Sequence, residues 1–294
     1  MIGAALLMLI AAGTLPAAHW LSGARWTWRA PRTAILLWQA LGLAWGVASI
    51  GALLAVGLLP YRSGIAGGLA DLVTGGGAGL NLFDGVALAA GLGLGAFLLT
   101  LLLYAVHGVG SARRRHRAVL ALVARDSGVR GTVVLDHPAA AAYCVPGVRS
   151  AKVVVSAGTL ELLDQAELAA VLAHERAHVR ERHDLVLLPF TSLPRIGLVA
   201  RCLDAVELLI EMRADDRARL HRSPRELATA LLRFAAARPA AAPSGALSAG
   251  GGQVLLRVRR LLEPVPPRAY SQVGTVVVAG IIAIVPLLLY VLPR

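Results

Sequence analysis

Long uninterrupted apolar segments are the feature of this sequence that most constrains its fold. Four of them, at residues 1–18, 34–59, 86–106 and 273–292, contain no charged side chain. A helix of roughly 20 apolar residues crosses a hydrocarbon core of about 30 Å. The composition agrees, since 57% of the residues are hydrophobic and the mean hydropathy is +0.68. The sequence therefore predicts a mainly α membrane protein with four transmembrane helices.

The distribution of positive charge predicts the orientation of these helices. In a four-span arrangement only Arg62 and Arg294 lie on one side of the membrane, and every other arginine lies on the opposite side. By the positive-inside rule, both termini are expected outside the cell membrane. The predicted organisation is a three-span block at 1–108, a cytoplasmic α+β domain at 109–272, and a closing transmembrane helix at 273–294.

The formal net charge of +12 does not indicate a nucleic-acid partner. The chain lacks a helix-turn-helix, a zinc-finger spacing or an aromatic-plus-basic pattern, so no direct contact with nucleic acid is expected. Part of the charge is expected against anionic lipid headgroups, which makes membrane lipid the predicted partner of the basic segments.

Short patterns predict the secondary structure of the cytoplasmic domain. "GTVVLDH" and "AKVVVSAG" are typical of strands, and Asp164 with Glu167 forms a D-x-x-E capping box that begins a helix. An apolar, proline-containing segment at 185–203 is too short to span and is expected to lie in the inner leaflet. Further predictions are helices at 203–220, from Ser223 and at 253–264, and a low-complexity loop at 237–252.

The capped helix carries the sequence "HERAH", an H-E-x-x-H pattern, at residues 174–178. Side chains four apart share one face of a helix, so His174 and His178 can hold one zinc ion. Glu175, one position further round, is placed to act as general base toward water. Cys144 and Cys202 have no C-x-x-C spacing, so neither a disulfide framework nor a thiolate zinc site is indicated.

A catalytic zinc usually has three protein ligands, so the pattern requires a third. His183 is the nearest candidate, but its spacing differs from the H-E-x-x-H-x-x-G-x-x-H motif and the glycine is missing. Glu207, Glu211 and Asp215 recur every four residues on one face of the next predicted helix. From the residues alone, the third ligand stays open.

The segments "VVVSAGTLELLDQAELAAVLAHERAH" and "EMRADDRA" resemble the BlaR/MecR-type membrane zinc metallopeptidases, which are gluzincins with three spans before this domain and one after it. They are more distantly similar to the HtpX and CAAX-prenyl-protease zinc peptidases. The resemblance implies a zincin-like fold, one Zn²⁺ per chain, and Glu211 as the third ligand. Asp215 would support a zinc-binding histidine. Under this resemblance Glu207 would not bind zinc. It is the alternative third ligand if Glu211 is not.

The resemblance also implies a function. It indicates a zinc endopeptidase that cuts a protein at the cytoplasmic membrane face, either a transcriptional repressor or a membrane protein. Residues 153–156 would be either an edge strand that pairs with substrate or an internal strand. The antibiotic-sensing members have an extracellular penicillin-binding domain after the last span, which is not expected here.

Two other functions remain open at this point. The first is a non-proteolytic signal transducer with a structural zinc site, which would have no need of Glu175 as a base. The second is a metal transporter, which the position of the ligands outside the spans disfavours. The sequence does not indicate an oligomeric state.

Overall fold

The computed structural model describes residues 2–61, 63–75, 79–126, 131–145, 147, 151–237, 244–263 and 269–291. These residues are mostly helical. The helices are α1 (Ile2–Ser22), α2 (Pro31–Gly57), α3 (Gly64–Gly75), α4 (Leu82–Val123), α5 (Ala157–Leu162), α6 (Gln165–Arg180), α7 (His183–Thr191), α8 (Gly197–Ala218), α9 (Pro224–Ala236), α10 (Ser244–Leu262) and α11 (Ala269–Val291). The strands are β1 (Ala124–Asp126), β2 (Thr132–Leu135), β3 (Ala142–Val145) and β4 (Lys152–Ser156).

The chain forms two compact units, each discontinuous in sequence. The first unit comprises Met1–Ala105, Pro189–Val206 and Pro267–Arg294, and the second comprises Val106–Leu188 and Glu207–Pro266. Residues 189–206, which include most of the segment predicted in the inner leaflet, belong to the first unit. The predicted domain boundaries at 108 and 272 stay a prediction.

Among the described residues, four helices are long and apolar enough to cross a membrane. They are Ile2–Ser22, Pro31–Gly57, Leu82–Val123 and Gln272–Val291, and each contains one of the four predicted apolar segments or most of it. Length and composition identify these helices as candidate spans. Which end of each helix faces the cytoplasm stays a prediction.

Small residues allow close helix packing in the first unit. A Cβ atom added to Gly57 would lie 2.7 Å from the backbone oxygen of Asp84, so α2 and α4 nearly touch there. The Tyr290 hydroxyl donates a hydrogen bond of 2.8 Å to the Val47 carbonyl, which joins α11 to α2. Close approach of backbones is the usual basis of helix association in membranes. The buried small residues of α2 include Ala44, Ala48, Ala52 and Ala55.

We expect Gly57→Ala to lower the stability of this unit by about 1–3 kcal/mol, because the added methyl group meets backbone atoms that cannot rotate away. Gly42→Ala, on the same helix, is the control, since no heavy atom lies within 4 Å of its added Cβ. The measurement is the thermal denaturation midpoint in detergent, followed by the fluorescence of Trp38, which is buried in α2. Equal midpoints for the two variants would contradict the close α2–α4 approach.

A four-stranded mixed sheet forms one layer of the second unit, within the described residues. The strand order is β1-β2-β4-β3, in which β2 and β4 are parallel and the two outer pairs are antiparallel. Residues 153–156 belong to β4, which is an internal strand. Of the two alternatives left open by the sequence, the edge strand is therefore wrong and the internal strand is confirmed. Val154 is fully buried, as an internal strand requires. The edge beside β4 is β3, which the sequence pattern did not predict.

Helix termini in the second unit follow the predicted capping residues. Asp164 Oδ1 accepts a hydrogen bond of 2.9 Å from the Glu167 N–H, and Glu167 Oε2 accepts one of 3.0 Å from the Asp164 N–H. This confirms the capping box at the start of α6. Ser223 caps α9 and Pro224 is its first residue, which is also as predicted.

The prediction of a loop at 237–252 is wrong for residues 244–252, and residues 238–243 lie outside the described residues. Helix α10 begins at Ser244 and continues to Leu262. The amphipathic part of α10 packs against α9. A helix anchored in this way can extend through weakly helix-forming residues, because tertiary packing outweighs local propensity.

Candidate active site

Helices α6 and α8 carry the residues that the sequence singled out. The face of α6 that contains Ala170 and Ala177 is buried, and His174 on that side is only 6% exposed. On α8, Met212 and Ala214 are fully buried. Ala170 of α6 and Ala218 of α8 belong to one buried apolar cluster, and polar side chains of the same two helices converge.

Three possible ligand atoms meet between the two helices. His174 Nε2 lies 3.1 Å from His178 Nε2 and 3.3 Å from Glu211 Oε2, and His178 Nε2 lies 3.4 Å from Glu211 Oε1. Ligands bonded to zinc at 2.0–2.1 Å in a tetrahedral arrangement stand about 3.3 Å apart. Two imidazoles and one carboxylate at this spacing therefore fit a zinc ion with one open position.

Asp215 lies behind this group, on the far side of the His174 ring. Its Oδ1 is 2.9 Å from His174 Nδ1. Both oxygens of Asp215 accept hydrogen bonds from Arg257, at 2.9 and 2.8 Å. Burial would raise the pKa of Asp215, but the Arg257 charge and its hydrogen bonds outweigh burial and hold that pKa below its usual range.

The two carboxylates also determine the charge of the histidines. Burial alone would lower the pKa of His174, but hydrogen bonds to Asp215 and Glu211 outweigh it and raise the pKa to about 10. The carboxylates thus favour positive charge between them, which a metal ion supplies as well as a proton. Burial lowers the pKa of His178 to about 4, so this ring is neutral at pH 7.

Glu175 projects beside the three possible ligands without joining them. Burial raises its pKa to about 7, although the positive charges of His174 and Arg257 and a hydrogen bond from the Cys144 backbone act in the opposite direction. A carboxyl group with a pKa near 7 can both accept and release a proton at neutral pH. Burial also raises the pKa of the Cys144 thiol, to about 12, so this thiol is neutral.

A cavity of about 670 Å³ opens onto the same group within the second unit. Tyr143 and Cys144 of the edge strand β3 line this cavity, and so do His178 and Glu211. A volume of this size is typical of small-molecule and peptide subsites. The position of β3 brings an unpaired strand edge, among the described strands, next to the possible metal ligands.

The structure separates the sequence candidates. Glu211 joins the two histidines, Asp215 contacts His174, and Glu207 lines the cavity outside the group of possible ligands. His183 is also outside that group, and its ring contacts His178 on the side away from Glu211.

Sequence reasoning did not single out Arg257, although this residue contacts both acidic members of the site. Its Nη1 lies 2.8 Å from Glu211 Oε2, in addition to its two hydrogen bonds to Asp215. One signal was present in the sequence. Arg257 falls within the apolar stripe of α10 that contains Val254, Val258 and Leu261, where a charged residue needs a buried partner.

Comparison with known proteins agrees with this geometry. Residues 111–242 match the model of peptidase family M48, and no solved structure matches the chain. The matched range contains α6, α8 and the cavity-lining strand β3. It supports a zincin-type peptidase, while the BlaR/MecR-type resemblance stays a prediction. Over residues 111–242 the chain is therefore similar to peptidase family M48, a family of metallopeptidases.

Proposed function

We propose that this protein is a membrane-anchored zinc endopeptidase that hydrolyses a protein substrate at the cytoplasmic membrane face. One observation carries the proposal. The ligand atoms of His174, His178 and Glu211 stand 3.1–3.4 Å apart, beside Glu175 and a substrate-sized cavity. The four apolar helices support membrane anchoring.

Each residue of the site has a distinct role in the proposed reaction. His174, His178 and Glu211 would hold one zinc ion, which would supply Lewis acidity toward the carbonyl and the water. Glu175 accepts a proton from the attacking water and transfers it to the leaving amine. Asp215 orients His174 from behind, so that the ring presents Nε2 to the metal.

Strand β3 provides a means of binding an extended substrate. No other described strand pairs with its outer edge, and Tyr143, Cys144 and Val145 line the cavity. An extended segment can add to such an edge through backbone hydrogen bonds, which requires little side-chain specificity. The substrate is therefore a protein segment in extended form. The BlaR/MecR-type resemblance favours a cytoplasmic transcriptional repressor, and the more distant one favours a membrane protein.

The decisive experiment compares new protein N-termini in cells that express the wild type or Glu175→Gln, with bound zinc measured on both purified proteins. We expect termini that appear only with the wild type, at equal zinc content, because glutamine cannot accept the proton. A loss of roughly 10²–10⁴-fold in turnover is typical when a general base is removed. Glu161→Gln, at an exposed position on α5, is the matched control and retains turnover.

The outcomes distinguish the proposal from its main alternative. A signal transducer with a structural zinc site keeps working in the Glu175→Gln variant and produces no new termini in either case. Undiminished peptide hydrolysis in that variant overturns the assignment of Glu175 as base. If neither purified protein contains zinc, the metal site itself is wrong.

A further inference from the structure

His183 contacts the possible ligand His178 on the side away from the other ligands. The Nδ1 atoms of the two rings are 3.0 Å apart, and the rings meet edge to face with centroids 4.8 Å apart. His183 is only 4% exposed. A buried imidazole at hydrogen-bond distance from a possible metal ligand is placed to orient that ligand.

The tautomers of the two rings follow from this contact. If His178 presents its Nε2 lone pair to the metal, its other nitrogen, Nδ1, carries the proton and needs an acceptor. The atom that faces it is His183 Nδ1, which must then be the unprotonated nitrogen of that ring. His183 Nε2 accordingly carries a proton, and it lies 3.5 Å from Glu181 Oε2.

The chain adopts an unusual conformation to place His183 there. Helix α6 ends at Arg180, and Arg182 then takes a left-handed conformation with φ of 51°, the only positive φ of a non-glycine residue among the described residues. This conformation costs a residue with a Cβ atom about 1 kcal/mol. The turn reverses the chain, so that His183 lies back against the last turn of α6.

A group of charged residues holds the far side of the His183 ring. Arg213 donates two hydrogen bonds to Glu181, of 2.7 and 2.6 Å, and Arg217 Nε lies 2.7 Å from the same carboxylate. This fork geometry fixes the position of the carboxylate beside His183 Nε2. The contacts therefore continue from His178 through His183 and Glu181 to α8, the helix that supplies Glu211.

We propose that His183 is a positioning residue of the zinc site, which accepts the Nδ1–H of His178 and so orients that ligand. Each histidine ligand then has its own buried partner, Asp215 for His174 and His183 for His178. Carboxylates and carbonyls are the usual partners of metal-bound histidines, and here an imidazole takes that place for one of them. This inference rests on the proposed function.

The test measures zinc affinity by competition with a chromophoric chelator, on the purified full-length protein. We expect His183→Leu to weaken zinc binding by roughly 10–100-fold, the usual loss when the partner of a metal-bound histidine is removed. His183→Asn keeps an acceptor oxygen near the position of Nδ1 and should remain close to the wild type. His221→Leu, at an exposed histidine after α8, is the matched control. The visible absorption of the cobalt-substituted protein provides a second readout, which should change in His183→Leu and be restored in His183→Asn.

Each outcome supports or overturns the inference. Wild-type affinity in His183→Leu, or equal losses in the leucine and asparagine variants, overturns the positioning role. If His183→Leu does not fold, His183→Gln takes its place, because its longer side chain moves the acceptor away from His178. The His183→Gln variant must then bind zinc more weakly than the His183→Asn variant. A wild-type protein that binds no zinc overturns the proposed function as well. If the wild type binds zinc and cleaves protein, the proposed function stands, and the His183 variants alone decide the positioning role.

Discussion

Glu211→Gln is expected to abolish both zinc binding and peptide hydrolysis, whereas Glu207→Gln leaves zinc binding unchanged. The two oxygens of Glu211 lie 3.3 and 3.4 Å from the ring nitrogens of His174 and His178. Burial would raise the pKa of Glu211, but the His174 hydrogen bond and the Arg257 charge hold it well below its usual range, so the group is ionised. Glutamine preserves the shape of the side chain and removes the charge.

The size of this effect follows from the number of ligands. Removal of a residue that only supports a ligand usually weakens metal binding by roughly 10–100-fold, so removal of a ligand should exceed that range. Metal content by mass spectrometry and turnover of a cleaved protein are measured for both variants. Glu207 lines the cavity outside the group of possible ligands, so Glu207→Gln can affect turnover through substrate binding but not metal content. Loss of zinc in Glu207→Gln, with zinc retained in Glu211→Gln, would reverse the assignment of the third ligand.

Arg257→Met is expected to destabilise the second unit by about 3–5 kcal/mol in protein stripped of metal by a chelator. Asp215 is 1% exposed and receives two hydrogen bonds from Arg257, so methionine removes the guanidinium partner of this buried carboxylate and leaves His174 as its remaining positive neighbour. The cost comes mainly from the lost charge and hydrogen bonds rather than from lost packing, since methionine retains the apolar stem.

Amide hydrogen exchange of α6, α8 and α10 measures this effect on the full chain. A loss of about 3 kcal/mol corresponds to a rise of roughly 100-fold in the exchange rate of amides that exchange through opening of the unit. Arg259→Met is the matched control on the same helix, because Arg259 is 80% exposed and pairs only with the exposed Glu263 among the contacts described. Adding Asp215→Asn to Arg257→Met should recover part of the loss, since it removes the negative charge that lost its arginine partner. Similar exchange in Arg257→Met and Arg259→Met would show that Asp215 does not depend on Arg257.

The local part of the site was predictable because it depends on residues close in sequence. The capping box of Asp164 and Glu167 begins α6, and the four-residue spacing of His174 and His178 places both rings on one face. The same spacing places Glu211 and Asp215 on one face of α8. Within each helix, the period of 3.6 residues is enough to determine these relations.

The contacts between helices were less accessible to sequence reasoning. Arg257 lies 42 residues from Asp215 along the chain, and only the packing of α10 brings the two together. The choice between Glu211 and Glu207 depends on the rotation of α8 against α6. The resemblance indicated Glu211, and spacing alone did not. The role of β3 as the edge beside the cavity depends on strand order, which short β-branched segments do not specify.

The sequence by itself determined the apolar helices, the start of α6 and the placement of the H-E-x-x-H pattern, because hydrophobic length and helical periodicity are local properties of the chain. Only the tertiary structure decided which acidic residue meets the two histidines and which strand edge borders the cavity. It also decided which arginine balances the negative charge of the acidic residues. It also decided that His183 lies against His178 as a partner rather than within the group of ligands. These contacts join residues from separate elements, and their geometry depends on how buried surfaces pack.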